Sequence, residues 1–402
     1  MKRYKNIMKS MFRGLKALII IFSFVNLHQP VLAQVSKLLS FSPEEGFHVT
    51  SQNKKYDIKL GLRFQEQAFV TTPVSNGEVT SSDMMMRRAR AQIGGYLFST
   101  RHTYFIQFDY DNKNYQLSNF EYRLRPNSNI EINIGQLMPP TGRQWQTISK
   151  NFQMVDRSIV SRYFAVGYDQ GVSIRYRHNL INKSKIKFAA GITHGEGINR
   201  HISPGGLAYS GRIDILPFGF FHSKGDYVES DFYREPTPKV SLGAAFYHNK
   251  DADTKMGFSD LDLMDNNITS YYLDAVVKYN GFSMIGEFIK RETSSERVEM
   301  GGDEAFRYSA MNGGYGFSLQ VGKFLEQHLE ATSRISFLNP DNIIMEAKNS
   351  FTSKDKYSVG LSYYVIGHSL KIQSEVSFVE EDFTNQDPFK YFEFLMQFSL
   401  SF

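Results

Sequence analysis

The sequence contains no cysteine and only one tryptophan, Trp145. Without cysteine, the chain can form no disulfide framework and carry no lipid on a thiol. Outside its N-terminal segment it also lacks an apolar run of about 18 residues, which a membrane-spanning helix would need. The motifs HExxH, GxSxG and GxxxxGK(S/T) are absent as well. We therefore expect no enzymatic activity, no cofactor and no metal site.

The first 33 residues have the pattern of a secretory signal peptide. They carry six lysines and arginines and no acid, then an apolar run at residues 17–25 and the small-residue ending VLA at 31–33. This pattern predicts cleavage before Gln34 and export from the cytoplasm. The whole chain has a net charge of +5 (46 minus 41), whereas the part after residue 33 has 40 minus 41, or −1. The basic character therefore belongs largely to the predicted signal peptide.

Charge is divided unevenly along the rest of the chain. Residues 87–187 hold 16 Lys and Arg against 6 Asp and Glu, whereas residues 221–402 hold 17 against 27. In a pore, such a division would make one wall and its loops cationic. The acidic C-terminal half and the near-neutral charge after residue 33 argue against nucleic-acid binding.

The last twelve residues, YFEFLMQFSLSF, alternate between apolar and mostly polar side chains. From Phe392 to Phe402 every second residue is apolar, which predicts a β-strand with one apolar face. A strand of this kind that ends in Phe resembles the last strand of outer-membrane barrels. The mean hydropathy of −0.36 agrees with a barrel, because every second residue of its strands faces water.

Sixteen segments with a period of two follow one another along the chain. They predict an all-β fold, a transmembrane antiparallel β-barrel of about 16 strands at residues 56–402, preceded by a short N-terminal segment at 34–55. The segments lie near residues 56–70, 86–98, 103–112, 117–125, 130–138, 171–178, 184–194, 207–216, 239–248, 269–279, 281–290, 313–324, 327–338, 356–366, 369–379 and 389–402.

The alternation also predicts which face each side chain occupies. In the first strand Ile58, Leu60, Leu62 and Phe64 would face lipid, which leaves Lys59, Arg63 and Gln65 in the lumen. In the second strand the apolar positions place Arg88 and Arg90 in the lumen, and Arg87 then has the wrong parity. A β-bulge or a strand end near residue 87 would place both neighbouring arginines on the same side.

One connection, residues 139–170, is long and has no sustained period of two. A loop of this length without regular structure is usually functional. It carries Arg143, Lys150, Arg157 and Arg162, as well as Trp145. We predict that this third long loop folds into the lumen and narrows it, with Trp145 as an anchor that packs the loop.

The chain resembles the phosphate-selective porin O and P family along nearly all of the sequence after residue 33. Each matching piece is short, but the pieces occur in one consistent order. They are IKLGLRFQ (58–65), MRRARAQIGGYLF (86–98), INIGQLMPPTGR (132–143), VDRS (155–158), YDQGVSI (168–174), KVSLGAAFYHN (239–249), YGFSLQVGKFL (315–325) and GHSLKIQSEVSF (367–378).

The resemblance implies a homotrimer of sixteen-stranded barrels, each narrowed to a waist of arginines and lysines. Carried over to this sequence, the waist would contain Arg63, Arg87, Arg88 and Lys150, and we add Arg90 and Arg143 as further anion-binding candidates. The chain departs from the family at two positions. Trp145 stands where phosphate-selective members have another loop lysine, and Asn119 where they have an aspartate on the fourth strand.

The sequence therefore predicts an outer-membrane porin for passive diffusion of small anions such as phosphate or polyphosphate. Its expected partners are these solutes, outer-membrane lipid and lipopolysaccharide, and two further copies of the chain, with no nucleic acid. Three alternatives stay open. In the first, the arginines have a purely structural role and stiffen the wall by pairing with Asp109, Glu121 and Glu131. In the second, the pore is a weakly selective nutrient channel. In the third, the loop plugs a structural barrel.

Overall fold

A computed structural model shows how most of the chain after the predicted signal peptide folds. The signal peptide itself lies outside the described residues. The structure describes residues 39–42, 46–75, 77–111, 114–181, 183–199, 206–252, 266–294, 313–341, 351–383 and 386–402.

Sixteen antiparallel strands, β3 to β18, form a closed barrel in which each pairs with the next and β18 pairs with β3. This confirms the predicted fold. Two short strands, β1 and β2, precede it. The strands are β1 Leu39–Ser42, β2 Gly46–Thr50, β3 Tyr56–Pro73, β4 Ser81–Leu97, β5 His102–Asp111, β6 Asn114–Leu124, β7 Ile130–Leu137, β8 Asp169–Asn179, β9 Lys185–Thr193, β10 Ala208–Leu216, β11 Lys239–Ala252, β12 Asn266–Tyr279, β13 Phe282–Thr293, β14 Gly314–Phe324, β15 Leu329–Pro340, β16 Phe351–Ile366, β17 Leu370–Phe383 and β18 Gln386–Ser401.

In the part of the chain that the structure describes, helical structure is limited to short turns between strands. Between β7 and β8 lie α1 (Arg143–Gln146), a 3₁₀ turn (Ser149–Asn151) and α2 (Ile159–Tyr163), and a second 3₁₀ turn (His222–Tyr227) lies between β10 and β11. The Ser158 side chain caps α2 by accepting a hydrogen bond from the Ser161 N–H. No helix in the described residues is long and apolar enough to cross a membrane.

The two faces of the strands differ as the alternation predicts. On β3 the side chains of Ile58, Leu60 and Leu62 are exposed on the outside of the barrel, while Arg63 and Gln65 are buried inside. Because apolar side chains cover the outer surface and polar ones line the lumen, the barrel is built to stand in an apolar medium.

The barrel closes at a seam that three chain segments share. Strand β18 pairs with β3 from Arg63 to Pro73, and β2 continues the same edge of β3 near Leu60. The terminal residue Phe402 exchanges two backbone hydrogen bonds with Leu62. Its ring packs 5.9 Å from Phe41 of β1, so the N-terminal hairpin covers the end of the last strand. We call this end of the barrel the C-terminal end.

Tight turns join most strand pairs at the C-terminal end. Between β12 and β13 only Asn280 and Gly281 intervene, and both have positive φ, as a two-residue hairpin turn of type I′ requires. The connection between β10 and β11 is much longer. It covers residues 217–238, and we call it the inner segment because it enters the lumen.

Candidate functional site

The connection between β7 and β8, residues 138–168, folds into the lumen as predicted, and we call it the constriction loop. Its apolar side chains Phe152, Met154 and Val160 are fully buried. The facing wall leaves room for it, because a Cβ atom at Gly316 of β14 would lie only 2.8 Å from Val160. The loop therefore packs against the inside of the barrel as a second core.

Polar side chains on β15 and β17 donate hydrogen bonds to the backbone of the constriction loop. Gln373 Nε2 on β17 donates to the carbonyl of Gln153 at 2.8 Å. Arg334 Nη1 on β15 donates to the carbonyl of Asp156, also at 2.8 Å. Because these groups are buried, the hydrogen bonds satisfy loop carbonyls that the lumen wall shields from water.

Strand β4 carries a bulge at the position where parity required one. Gln65 pairs with Arg88, but the next residue, Glu66, pairs with Met86, so Arg87 is the additional residue. A bulge places two successive side chains on one side of the sheet. It explains how Arg87 and Arg88 both reach the same carboxylate in the lumen.

That carboxylate is Asp156 of the constriction loop. Arg88 Nη2 lies 3.0 Å and Arg87 Nε 3.3 Å from its two oxygens. Burial by itself would raise the pKa of Asp156, but Arg88, Arg87 and Arg162 outweigh that effect and hold this pKa well below its usual range. The aspartate is therefore a permanent counterion for the two wall arginines.

Arg90 and Arg63 meet at a single hydroxyl of the loop. Arg63 Nη1 donates to Ser149 Oγ at 3.0 Å, and Arg90 Nη1 donates to the same oxygen at 3.4 Å. Arg90 also forms an ion pair with Asp109, at 3.0 Å. Arg63 differs, since its Nε has no hydrogen-bond partner and no carboxylate of the described residues pairs with it.

A cavity of about 460 Å³ lies next to Arg63 on the C-terminal side of the loop. Two of its arginines are paired along the wall, Arg123 with Glu121 at 2.7 Å and Arg125 with Glu131 at 2.8 Å. The cationic side chains that line it are Lys59, Arg63, Arg123, Arg125 and Lys150. Cationic side chains thus predominate around the space beside β3 to β6.

Arg143 lies elsewhere and serves another purpose. It is only 2% exposed and donates to Asp274 Oδ1 at 2.5 Å and to Asp214 Oδ1 at 2.7 Å. Arg212 contacts the same two carboxylates. The structure thus brings Arg63, Arg87, Arg88, Arg90 and Lys150 to one side of the lumen, and it places Arg143 on the other as an anchor of the loop.

Trp145 packs inside the loop, and its partner is an arginine that our candidate site did not include. The guanidinium of Arg157 lies 4.5 Å from the ring of Trp145 and 4.6 Å from that of Phe152, and it donates to three loop carbonyls. Burial, with help from Arg88 and Arg90, lowers the pKa of Arg157 to about 9. The VDRS motif that contains Arg157 was the available signal.

The inner segment was also absent from the predicted site. Its buried carboxylates Asp226 and Glu229 contact the wall and the constriction loop. Residues 217–238 contain no known motif, but their length without a regular period was the available signal, since such long loops are usually functional. Among the described residues, no group of three or more His, Asp and Glu side chains could hold a metal ion.

Solved structures of bacterial outer-membrane proteins are similar to this barrel. The anion-selective porin of Comamonas acidovorans is 10% identical over 86% of this chain and all of that one, with a TM-score of 0.57. OmpT, expressed in the outer membrane of Vibrio cholerae, is 8% identical over 87% and 99%, with a TM-score of 0.52. The outer-membrane channel DcaP of Acinetobacter baumannii is 10% identical over 88% and 99%, with a TM-score of 0.51.

These likenesses establish the porin-type barrel fold. No protein-family model matches the sequence, and no curated protein does. The resemblance to the phosphate-selective porin O and P family therefore remains a prediction from short sequence pieces.

Proposed function

We propose that this protein is an outer-membrane porin through which small anions diffuse passively. Their path is a cationic lane beside β3 to β6, which we define by the cationic side chains that line the cavity there: Lys59, Arg63, Arg123, Arg125 and Lys150. The observation that carries the proposal is Arg63. It is a lumen-facing guanidinium, 4% exposed, with the hydroxyl of Ser149 as its partner and no carboxylate in contact among the described residues. A buried charge without a counterion attracts a mobile one.

The chemistry of the lane follows from its donors. A guanidinium binds oxyanions through charge-assisted hydrogen bonds, often two at a time, and the low-dielectric surroundings strengthen them. The neighbouring arginines are partly neutralised, Arg87 and Arg88 by Asp156 and Arg90 by Asp109. This partial neutralisation keeps each binding step weak, so that the anion also leaves.

The finer selectivity concerns the size and charge of the anion. Trp145 stands where phosphate-selective members of the family that the chain resembles have a lysine, and here it stacks on Arg157 instead of adding a charge. This supports a general anion preference, with phosphate or polyphosphate as one class of solute among others.

The proposal includes the cellular setting. Residues 1–33 would direct export, residues 34–55 would form the N-terminal segment, and the barrel of 56–402 would stand in the outer membrane among lipid and lipopolysaccharide, with its C-terminal end in the periplasm. A homotrimer is the proposed assembly, and one similar structure, OmpT of Vibrio cholerae, is described in a trimer form.

The test is the reversal potential of single channels across a chloride gradient, before and after phosphate is added. We expect anion selectivity that Arg63→Gln reduces, and phosphate that lowers the chloride current. The control is Lys290→Gln on β13, since Lys290 is 52% exposed and paired with Glu292. Weak or cation selectivity that neither variant changes would leave a general nutrient porin.

A second candidate function is a structural surface barrel whose lumen is plugged. The complete burial of Phe152, Met154 and Val160 in the lumen favours it. Absence of any current from correctly folded wild-type protein would support this candidate and contradict the porin proposal.

A further inference from the structure

The inner segment, residues 217–238, is far longer than its place in the barrel requires. The other connections at the C-terminal end have two to five residues, whereas this one has 22. Ile215 of β10 pairs directly with Leu242 of β11, so a tight turn could join the two strands. The additional residues must therefore have another use.

The middle of the segment lies inside the barrel in spite of its polar side chains, while Phe218, Phe220 and Tyr233 are exposed. Asp226, Ser230 and Asp231 are all buried. Lys278 at the end of β12 donates three hydrogen bonds of 2.6–2.7 Å to backbone carbonyls, those of Gly225, Val228 and Ser230. A buried ammonium group and several buried carboxylates are stable only with such partners. Residues 225–231 are thus fixed in the lumen.

The inner segment also binds the constriction loop directly. Glu229, 2% exposed, accepts hydrogen bonds from Gln153 N at 2.8 Å and from Gln144 Nε2 at 3.0 Å. Its own N–H donates to the carbonyl of Asn151 at 3.0 Å. The side chain of Arg143 donates to the carbonyl of Asp226 at 2.9 Å. The two inserted pieces of chain therefore form one packed unit.

The unit fills one side of the lumen and leaves space on the other. The wall partners of the inner segment include Lys187 on β9, Lys278 on β12 and Gln320 on β14. The cavity of about 460 Å³ instead borders β3 to β6 and the constriction loop. No residue of the inner segment lines that cavity among the residues that the structure describes.

We propose that the inner segment is a second constricting element, which enters from the C-terminal end and confines permeation to the lane beside β3 to β6. This inference rests on the proposed function, because it presumes that the barrel conducts. On this proposal, the constriction loop and the inner segment enter the lumen from opposite ends, bind each other and together set the width of the pore.

The test replaces residues 217–238 by the Asn-Gly turn that joins β12 and β13. We expect the single-channel conductance to rise about twofold or more, because the wall from β9 to β17 becomes accessible to ions. The matched control grafts the same turn in place of residues 126–129, an exposed connection at the same end. Its conductance should equal that of the wild type.

The outcomes separate the two proposals. If the wild type conducts and the graft at 217–238 does not change its conductance, the constriction inference is wrong and the porin proposal stands. If the wild type is silent and the graft conducts, the segment does close the lumen and the porin proposal fails. Silence of both proteins would overturn both.

A second measurement applies where the graft does not fold. The chain has no cysteine, so Ser230→Cys and Ser223→Cys each introduce a single thiol into the inner segment. Ser230 is 1% exposed and Ser223 is exposed. A water-soluble maleimide should label the folded S223C variant rapidly and the folded S230C variant slowly. Rapid labelling of both would overturn the inference.

Discussion

The two sides of the lumen use the same residue type for opposite purposes. On the side of β3 to β6, Arg63 contacts a serine hydroxyl and borders a cavity. On the side of β10 to β12, Arg143 is locked between Asp214 and Asp274 and fills the space itself. We therefore expect a lumen arginine to bind anions only where carboxylates leave its charge uncompensated.

The largest expected effect is a loss of stability when the buried ion pairs on the side of β10 to β12 are disrupted. Arg143→Ala leaves Asp214 and Asp274 buried with one arginine fewer, and removal of one partner from a buried ion pair costs about 3–5 kcal/mol. Denaturant unfolding of the detergent-solubilised barrel should show this loss. Arg125→Ala is the control, because Arg125 is exposed and should cost at most about 1 kcal/mol. Equal stability of the two variants would contradict an anchoring role for Arg143.

The second largest effect concerns anion selectivity on the side of the lumen beside β3 to β6. Asp156→Asn removes the counterion of Arg87 and Arg88 and keeps the shape of the side chain, so the ratio of anion to cation permeability should rise about two- to threefold. The reversal potential in a chloride gradient measures this ratio. Glu326→Gln, an exposed change at the C-terminal end, should leave it unaltered. A fall in anion preference would show that Asp156 helps anions to pass.

Acid should weaken the contact between the inner segment and the turn after β16, where His368 Nε2 lies 2.9 Å from Ser230 Oγ. Burial, together with Lys371, Lys278 and Lys150, holds the pKa of His368 well below its usual range, so the imidazole is neutral. The imidazole of the unfolded chain takes up a proton below about pH 6.5 whereas the buried one does not, so the fold loses stability as the pH falls below that value, by at most about 1.4 kcal/mol per pH unit.

Unfolding of wild type and His368→Asn between pH 8 and 5 measures this contribution. We expect the wild type to lose more stability than the variant over this range. Parallel pH profiles of the two proteins would contradict the assignment to His368.

The smallest effect concerns the stack within the constriction loop. Trp145→Phe keeps an aromatic face under Arg157 and should cost about 0.5 kcal/mol or less, whereas Trp145→Ala removes it and should cost about 1–2 kcal/mol. Current noise of single channels should increase for the alanine variant only, because the loop loses an internal contact. Equal noise for both variants would mean that the stack does not hold the loop.

The strands, their two faces and the position of the constriction loop could be predicted from the sequence, because they depend on local patterns of residues. Alternation of side chains sets the strands and their faces, and the wrong parity of Arg87 required the bulge that β4 contains. The lack of a period marked the constriction loop. The inner segment escaped notice, because a connection that lies at the surface and one that fills a lumen have similar composition.

The barrel, its apolar outer surface, the inward loop and the candidate cations follow from the amino-acid sequence alone. Which of these cations are neutralised depends on the folded arrangement. Asp156 lies 68 residues from Arg88, and Asp274 lies 131 residues from Arg143. Closure of the barrel brings such pairs together across the lumen, and the strength of an electrostatic interaction depends on distance in space and on burial, which no local pattern records.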